Sequence, residues 1–162
     1  MEMLEVFKSC EERSKLPFVP QQWSGSGDCC RDHDGNFIFG FASGGPPDLD
    51  VLGTELAAVR EGLLMMGYMG FTRFTIGLYS QEAVSILKDG LDWWSNIGNV
   101  VEDVRRLMVD QEVAGVFYPH RKGNGVAHGL AQHGLRARSR LFWTDRASLW
   151  PSILLDKDRT MA

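Results

Sequence analysis

The chain has 162 residues, 44% of them hydrophobic and 23% charged, with a net charge of −4. That length suits one domain with a sizeable core and is short for two. The composition excludes a disordered chain, and no apolar run approaches the ~18 residues of a membrane span. The N-terminal stretch, with Glu2, Glu5 and Lys8, lacks the apolar centre of a signal peptide, so an intracellular protein, nuclear or cytoplasmic and off the membrane, is expected. Cys10, Cys29 and Cys30 are odd in number, two are adjacent, and no second pair stands at zinc spacing. They predict reduced thiols, with Cys29 and Cys30 in a strand, one facing in and one out.

Residues 1–27 are poorly patterned, interrupted by Pro17, Pro20 and the Gly25–Gly27 stretch, though they could supply a first strand. Strand-like runs then flank Asp32-His33-Asp34-Gly35-Asn36, and a DG dipeptide in that setting predicts an antiparallel hairpin, with strands near 29–31 and 36–42. A helix is predicted from about Gly53 to Met66, with Thr54 near its N-cap and Leu56, Val59 and Leu63 on one face. Residues 72–79 alternate as a strand, and Ser80 caps a short helix through Lys88, ended by Gly90. Val100, Val104, Leu107 and Met108 form the apolar stripe of a helix over 99–110. A strand follows near 113–119. Asn124 then reads as the N-cap of a helix closed by Gly134. The order of elements predicts a mixed sheet with helices packed on it. Phe39, Val59, Leu63, Ile76, Val104, Leu107, Val116 and Leu130 are its expected core.

Charge is unevenly spread. Residues 1–118 carry a balance of −9, whereas 119–147 carry +5, from Arg121, Lys122, Arg136, Arg138, Arg140 and Arg146 against Asp145. Such a segment can touch phosphate despite the acidic body, because screening confines the interaction to about 8–10 Å; a solvated arginine-rich tail is the alternative. Trp93 and Trp94 invite a base-stacking reading, against packing under a neighbouring helix. His128 and His133 differ by five on a helix and point apart, so with His120 they form no metal cluster.

Four segments, in order, carry a family resemblance. Arg31-Asp32-His33-Asp34-Gly35-Asn36 resembles the R-D-x-x-G-N turn of plant ribonuclease H-like domains, found in non-LTR retroelements and their domesticated derivatives. The run from Thr54 to Leu63 is similar to their A-E-L-x-A-I-x-x-G-L helix, Tyr79 to Val84 to D-S-x-x-A-V, and Arg121 to Ala131 to R-E-G-N-x-V-A-D-x-L-A. The likeness covers 28–134, leaving 1–27 as a less patterned N-terminal segment and 135–162 as a basic, aromatic extension. It implies an α/β fold with a five-stranded mixed sheet, an antiparallel N-terminal hairpin and helices on both faces.

The resemblance also implies a site. Family enzymes hold two Mg²⁺ ions with carboxylates from separate elements, and magnesium is poorly served by imidazole or phenol. Glu55 keeps the helix carboxylate, while Tyr79 and His128 stand where aspartates are expected, and the first-strand aspartate has no clear counterpart beyond Glu11. Glu55 also has an alternative role as a helix-N-terminal carboxylate favoured by the macrodipole. The expectation is a degenerate domain that needs no cofactor and holds Mg²⁺ weakly, through Glu55, at most. It would bind RNA, DNA or hybrid through Arg121, Lys122, Arg136, Arg138 and Arg140 without efficient hydrolysis. Two other readings stand beside it: a protein-interaction module on the same fold, and a residual Mg²⁺-dependent hybrid ribonuclease using Glu55 with Asp28, Glu82 or Glu11.

Overall fold

A computed structural model describes residues 3–12, 23–34, 36–45, 51–90, 97–119 and 125–144; for residues 3–12, 23–25, 45, 51 and 125–128 only the backbone is described. Among the described residues ten elements follow in chain order: β1 (Met3–Glu12), β2 (Trp23–Arg31), β3 (Phe37–Gly45), α1 (Val51–Tyr68), β4 (Thr75–Leu78), α2 (Gln81–Asp89), α3 (Gly98–Asp110), β5 (Gly115–Phe117), α4 (Gly125–Ala137) and β6 (Arg140–Trp143). The strands make one sheet in the order β5-β4-β1-β2-β3-β6. β1, β2 and β3 form an antiparallel meander, β4 joins β1 in parallel, β5 joins β4 in parallel, and β6 closes the far edge antiparallel to β3.

The hairpin between β2 and β3 forms where the DG dipeptide predicts it, although Gly35 itself lies outside the described residues. Asp32 organises the turn. Its Oδ1 accepts from the backbone N–H of Asp34 (2.9 Å) and of Asn36 (2.8 Å), and its Oδ2 from Asn36 Nδ2 (3.0 Å). Ser80 caps α2 as expected, its hydroxyl accepting from Ala83 N at 3.1 Å, and Gly90 ends that helix in the left-handed region at φ 64°.

Helices cover both faces. On one side α1, α2 and α3 bury Phe39, Leu56, Val59, Leu63, Phe74, Ile76, Val104 and Val116; Leu107 is only half-buried at the margin. The Gln111 side chain ties the ends of α1 and α3, its Nε2 donating to Leu63 O at 2.8 Å, and Arg60 reaches Asp103 at 2.9 Å. On the other side α4 packs across β1, β2 and β3 and buries Cys29, Ala42 and Leu130. Cys29 and Cys30 do alternate across the strand, but neither meets solvent, because each face has its own helical layer. The expectation of one outward cysteine is corrected accordingly.

Several sequence expectations shift for the same reason, which is long-range packing. Residues 3–12 form a central strand, and the Gly25–Gly27 stretch lies inside β2 and does not break it. α4 runs through Gly134 to Ala137, so that glycine is not a stop. It permits close approach: a Cβ on Gly134 would meet Ser43 O at 2.7 Å, and one on Gly44 would overlap Gly134 O. Thr54 lies inside α1, which starts at Val51. A sixth strand, β6, extends the expected five-stranded sheet from the segment beyond 134. Among the described residues, no helix is long and apolar enough to cross a membrane.

Candidate functional site

The parallel strands β1, β4 and β5 run toward one edge of the sheet, β1 continuing to Glu12 past the end of β4, and β3, two antiparallel steps from β1, runs toward it too. Tyr79 is the first residue beyond β4 at this edge. It is half-buried and packs with the Cys29, Ala42 and Leu130 cluster beneath α4. Its ring meets that of Tyr118, just beyond β5, edge-on at 6.2 Å and 62°. Aromatic packing therefore occupies the end of the central strand.

Strand register shows which residue of β1 falls in line with Tyr79. Met3, Leu4, Glu5 and Val6 pair with Thr75, Ile76, Gly77 and Leu78, so the next residue in line with Tyr79 is Phe7. Phe7 also stands opposite Gly27, against which α4 is seated. Glu11 lies four residues further along, about 13 Å of strand, opposite Ser24. No motif marks Phe7; only the pairing of β1 with β4 identifies it.

The other carboxylates are dispersed. Glu55 is half-buried in the second turn of α1; because that helix begins at Val51, its first turn holds no acidic residue, which weakens the macrodipole role. Asp28 is fully buried on β2, between Val6 and Phe41, and by strand alternation faces the α1 side with Cys30. Glu82 is exposed in the first turn of α2, where a negative charge suits the helix N-terminus. His128 belongs to the first turn of α4, and its side chain is outside the description. His133 lies beside Trp143, ring centroids 5.7 Å apart. Among the described residues no three His, Cys, Asp or Glu side chains come together to hold a metal ion.

Three of the five predicted cations gather around the turn from α4 to β6. Arg136 is in the last turn of α4, Arg138 takes φ 50° in the turn, and Arg140 opens β6 opposite Ser43; all three are exposed. Arg140 also meets Glu61 of α1 at 3.7 Å, which offsets part of its charge. Gly44 N donates to Ser139 O at 3.2 Å, fixing the turn at the C-terminal end of β3, the same sheet edge that carries Tyr79. Arg121, Lys122, the capping Asn124, His120, Trp93 and Trp94 lie outside the described residues.

A three-strand antiparallel meander continued by two parallel strands, with helices on both faces, defines a ribonuclease H-like domain. The family model described as reverse transcriptase-like matches residues 19–134, and the chain belongs to that family. Solved structures agree on the fold. RNase H1 from the halophilic archaeon Halobacterium salinarum superposes with a TM-score of 0.61 at 17% identity, covering 83% of this chain and 98% of that one. The foamy viral protease-reverse transcriptase in complex with dsDNA gives 0.68 at 14% identity, covering 84% and 94%. LC11-RNase H1 in complex with an RNA/DNA hybrid gives 0.62 at 13% identity, covering 83% and 97%. No curated protein matches the chain by sequence.

Proposed function

We propose that this is a degenerate ribonuclease H-like domain that binds nucleic acid without efficient hydrolysis. Tyr79 carries the reading. Its ring, beyond the end of β4, packs under α4 and against Tyr118, leaving the central strand no carboxylate to offer a metal. Phenols stay protonated near neutral pH, and Phe7, in line with Tyr79, has no donor at all. With His128 at the head of α4, three of the four positions are neutral or apolar, which does not fit two hard divalent ions. Glu55 alone would hold Mg²⁺ weakly, and no cofactor is required for binding.

Nucleic acid as the partner draws support from two sides. LC11-RNase H1 binds an RNA/DNA hybrid, and in this chain Arg136, Arg138 and Arg140 stand exposed at the edge that carries Tyr79. A protein-interaction role has its own observation, the exposed Tyr68 (90%) and Val109 (77%) near the C-terminal ends of α1 and α3. Titrating a labelled RNA/DNA hybrid at low and moderate salt separates the two readings. Binding that weakens steeply with salt is expected; no binding at low salt would favour the protein-interaction module. Incubation with Mg²⁺ or Mn²⁺ is expected to leave the hybrid intact. Cleavage by the unmodified chain that is lost in Glu55→Gln would restore the nuclease reading.

A further inference from the structure

We propose that Tyr118, backed by Tyr79, is a stacking station for an unpaired nucleobase, making this domain a binder of single-stranded nucleic acid in preference to a hybrid duplex. The inference rests on the nucleic-acid-binding reading above and specifies its substrate.

Geometry supplies the platform. β4 and β5 are parallel neighbours, and each is followed by a tyrosine at the same sheet edge. The two rings meet edge to face at 6.2 Å, a favoured aromatic arrangement. Tyr79 is held by the cluster beneath α4, whereas Tyr118 is 38% exposed. One ring is fixed in the protein and supports a second that reaches solvent.

Among the described residues α4 covers β1, β2 and β3 and makes no comparable contact with β4 or β5. There the sheet is covered by the chain's own rings: a Cβ on Gly77 would touch Phe117 at 3.3 Å and Pro119 at 3.4 Å. Aromatic faces stack on any base, but only where that base has a free face. In a duplex each base is already stacked on both sides, so this platform discriminates in favour of a single strand.

Charge places the rest of such a strand. Arg136 and Arg138 lie at the same sheet edge, on the far side of β3. From β5, which Tyr118 follows, to β6 there are five strand spacings, about 24 Å. That span accommodates no more than about seven nucleotides at the ~3.4 Å spacing of one duplex strand. Phosphates at the arginine end and a base at the tyrosine end would thus be engaged by one short oligomer.

Anisotropy titrations at low salt, with a labelled oligo-dT of about eight nucleotides and an RNA/DNA hybrid of equal length, test the proposal. Oligo-dT is expected to bind more tightly than the hybrid. Tyr118→Leu should weaken oligo-dT by roughly tenfold or more, as loss of one stacked base does, and leave the hybrid unchanged. Tyr118→Phe should bind like the parent with its thermal midpoint unaltered, and Tyr118→Leu should remain folded at the assay temperature. Arg136→Gln with Arg138→Gln should weaken both polymers and flatten the salt dependence. If Tyr118→Leu binds oligo-dT like the parent, or weakens both polymers equally, the stacking role is overturned while the nucleic-acid reading stands. If neither polymer binds the parent at low salt, both are overturned.

Discussion

Asp32 shows how much a single residue fixes, and how visible it is in the sequence. Three accepted hydrogen bonds hold its carboxyl below the ordinary value of 3.8, the side chain of Asn36 contributing most. A depressed folded-state pKa gives stability that is fully present above the unfolded value and lost as pH falls through the folded one. Asp32→Ala should therefore lower the denaturation midpoint at neutral pH, with the gap from the parent narrowing below pH 3.8. Parallel urea titrations at the two pH values check this; a gap independent of pH would remove the carboxylate from the explanation. The hairpin was legible because its signal is local, a turn sequence between two apolar runs. Cys29 and Cys30 were half legible: their alternation follows from strand geometry, but the helix over each face comes from distant sequence.

At the scale of elements, α4 and its seat on the sheet depend on missing side chains. Gly27, Gly44 and Gly134 let the helix approach the backbone of β2 and β3, and the atoms in the way of a Cβ at Gly44 and Gly134 are themselves backbone. Little can yield there, so Gly44→Ala should cost stability at the upper end of the ~1–3 kcal/mol typical of overpacking, and Gly134→Ala somewhat less. Gly115→Ala is the control: a Cβ there meets open space, and the change should stay within about 0.5 kcal/mol. Chemical denaturation of the three variants checks the ranking, and equal costs would contradict the close-approach account. These glycines also explain where sequence reasoning went wrong. Read locally, Gly134 ends a helix and Gly25–Gly27 breaks a strand; in the fold, Gly134 and Gly27 mark where helix and sheet meet. β6 was likewise hidden, since four residues become a strand only through pairing with β3.

For the whole molecule, the parts of the site that were legible are those held in one segment. Tyr79 beside the Ser80 cap, and Glu55 on its helix, could be read in place; Phe7 could not, because its standing depends on the pairing of β1 with β4 across some seventy residues. That register turns the proposed lack of hydrolysis into a constructive prediction. Tyr79→Asp with His128→Asp adds carboxylates at two candidate positions to that of Glu55, and Mg²⁺ should then raise the thermal midpoint, since an ion at 100 times its Kd adds about 2.7 kcal/mol to the folded state. Hybrid cleavage should still be absent, because the position in line on β1 remains apolar. Adding Phe7→Asp places a carboxylate on each of the two parallel strands where they run side by side, and cleavage in Mg²⁺ should appear only then. Tyr79→Asp also removes a ring from beneath α4, so midpoints without Mg²⁺ must be measured first to separate lost packing from gained binding. The order of appearance decides the matter: cleavage by the double variant would mean that Glu11 or Asp28 already serves as the missing ligand, and none by a folded, Mg²⁺-binding triple variant would mean that the Phe7 register does not define the site.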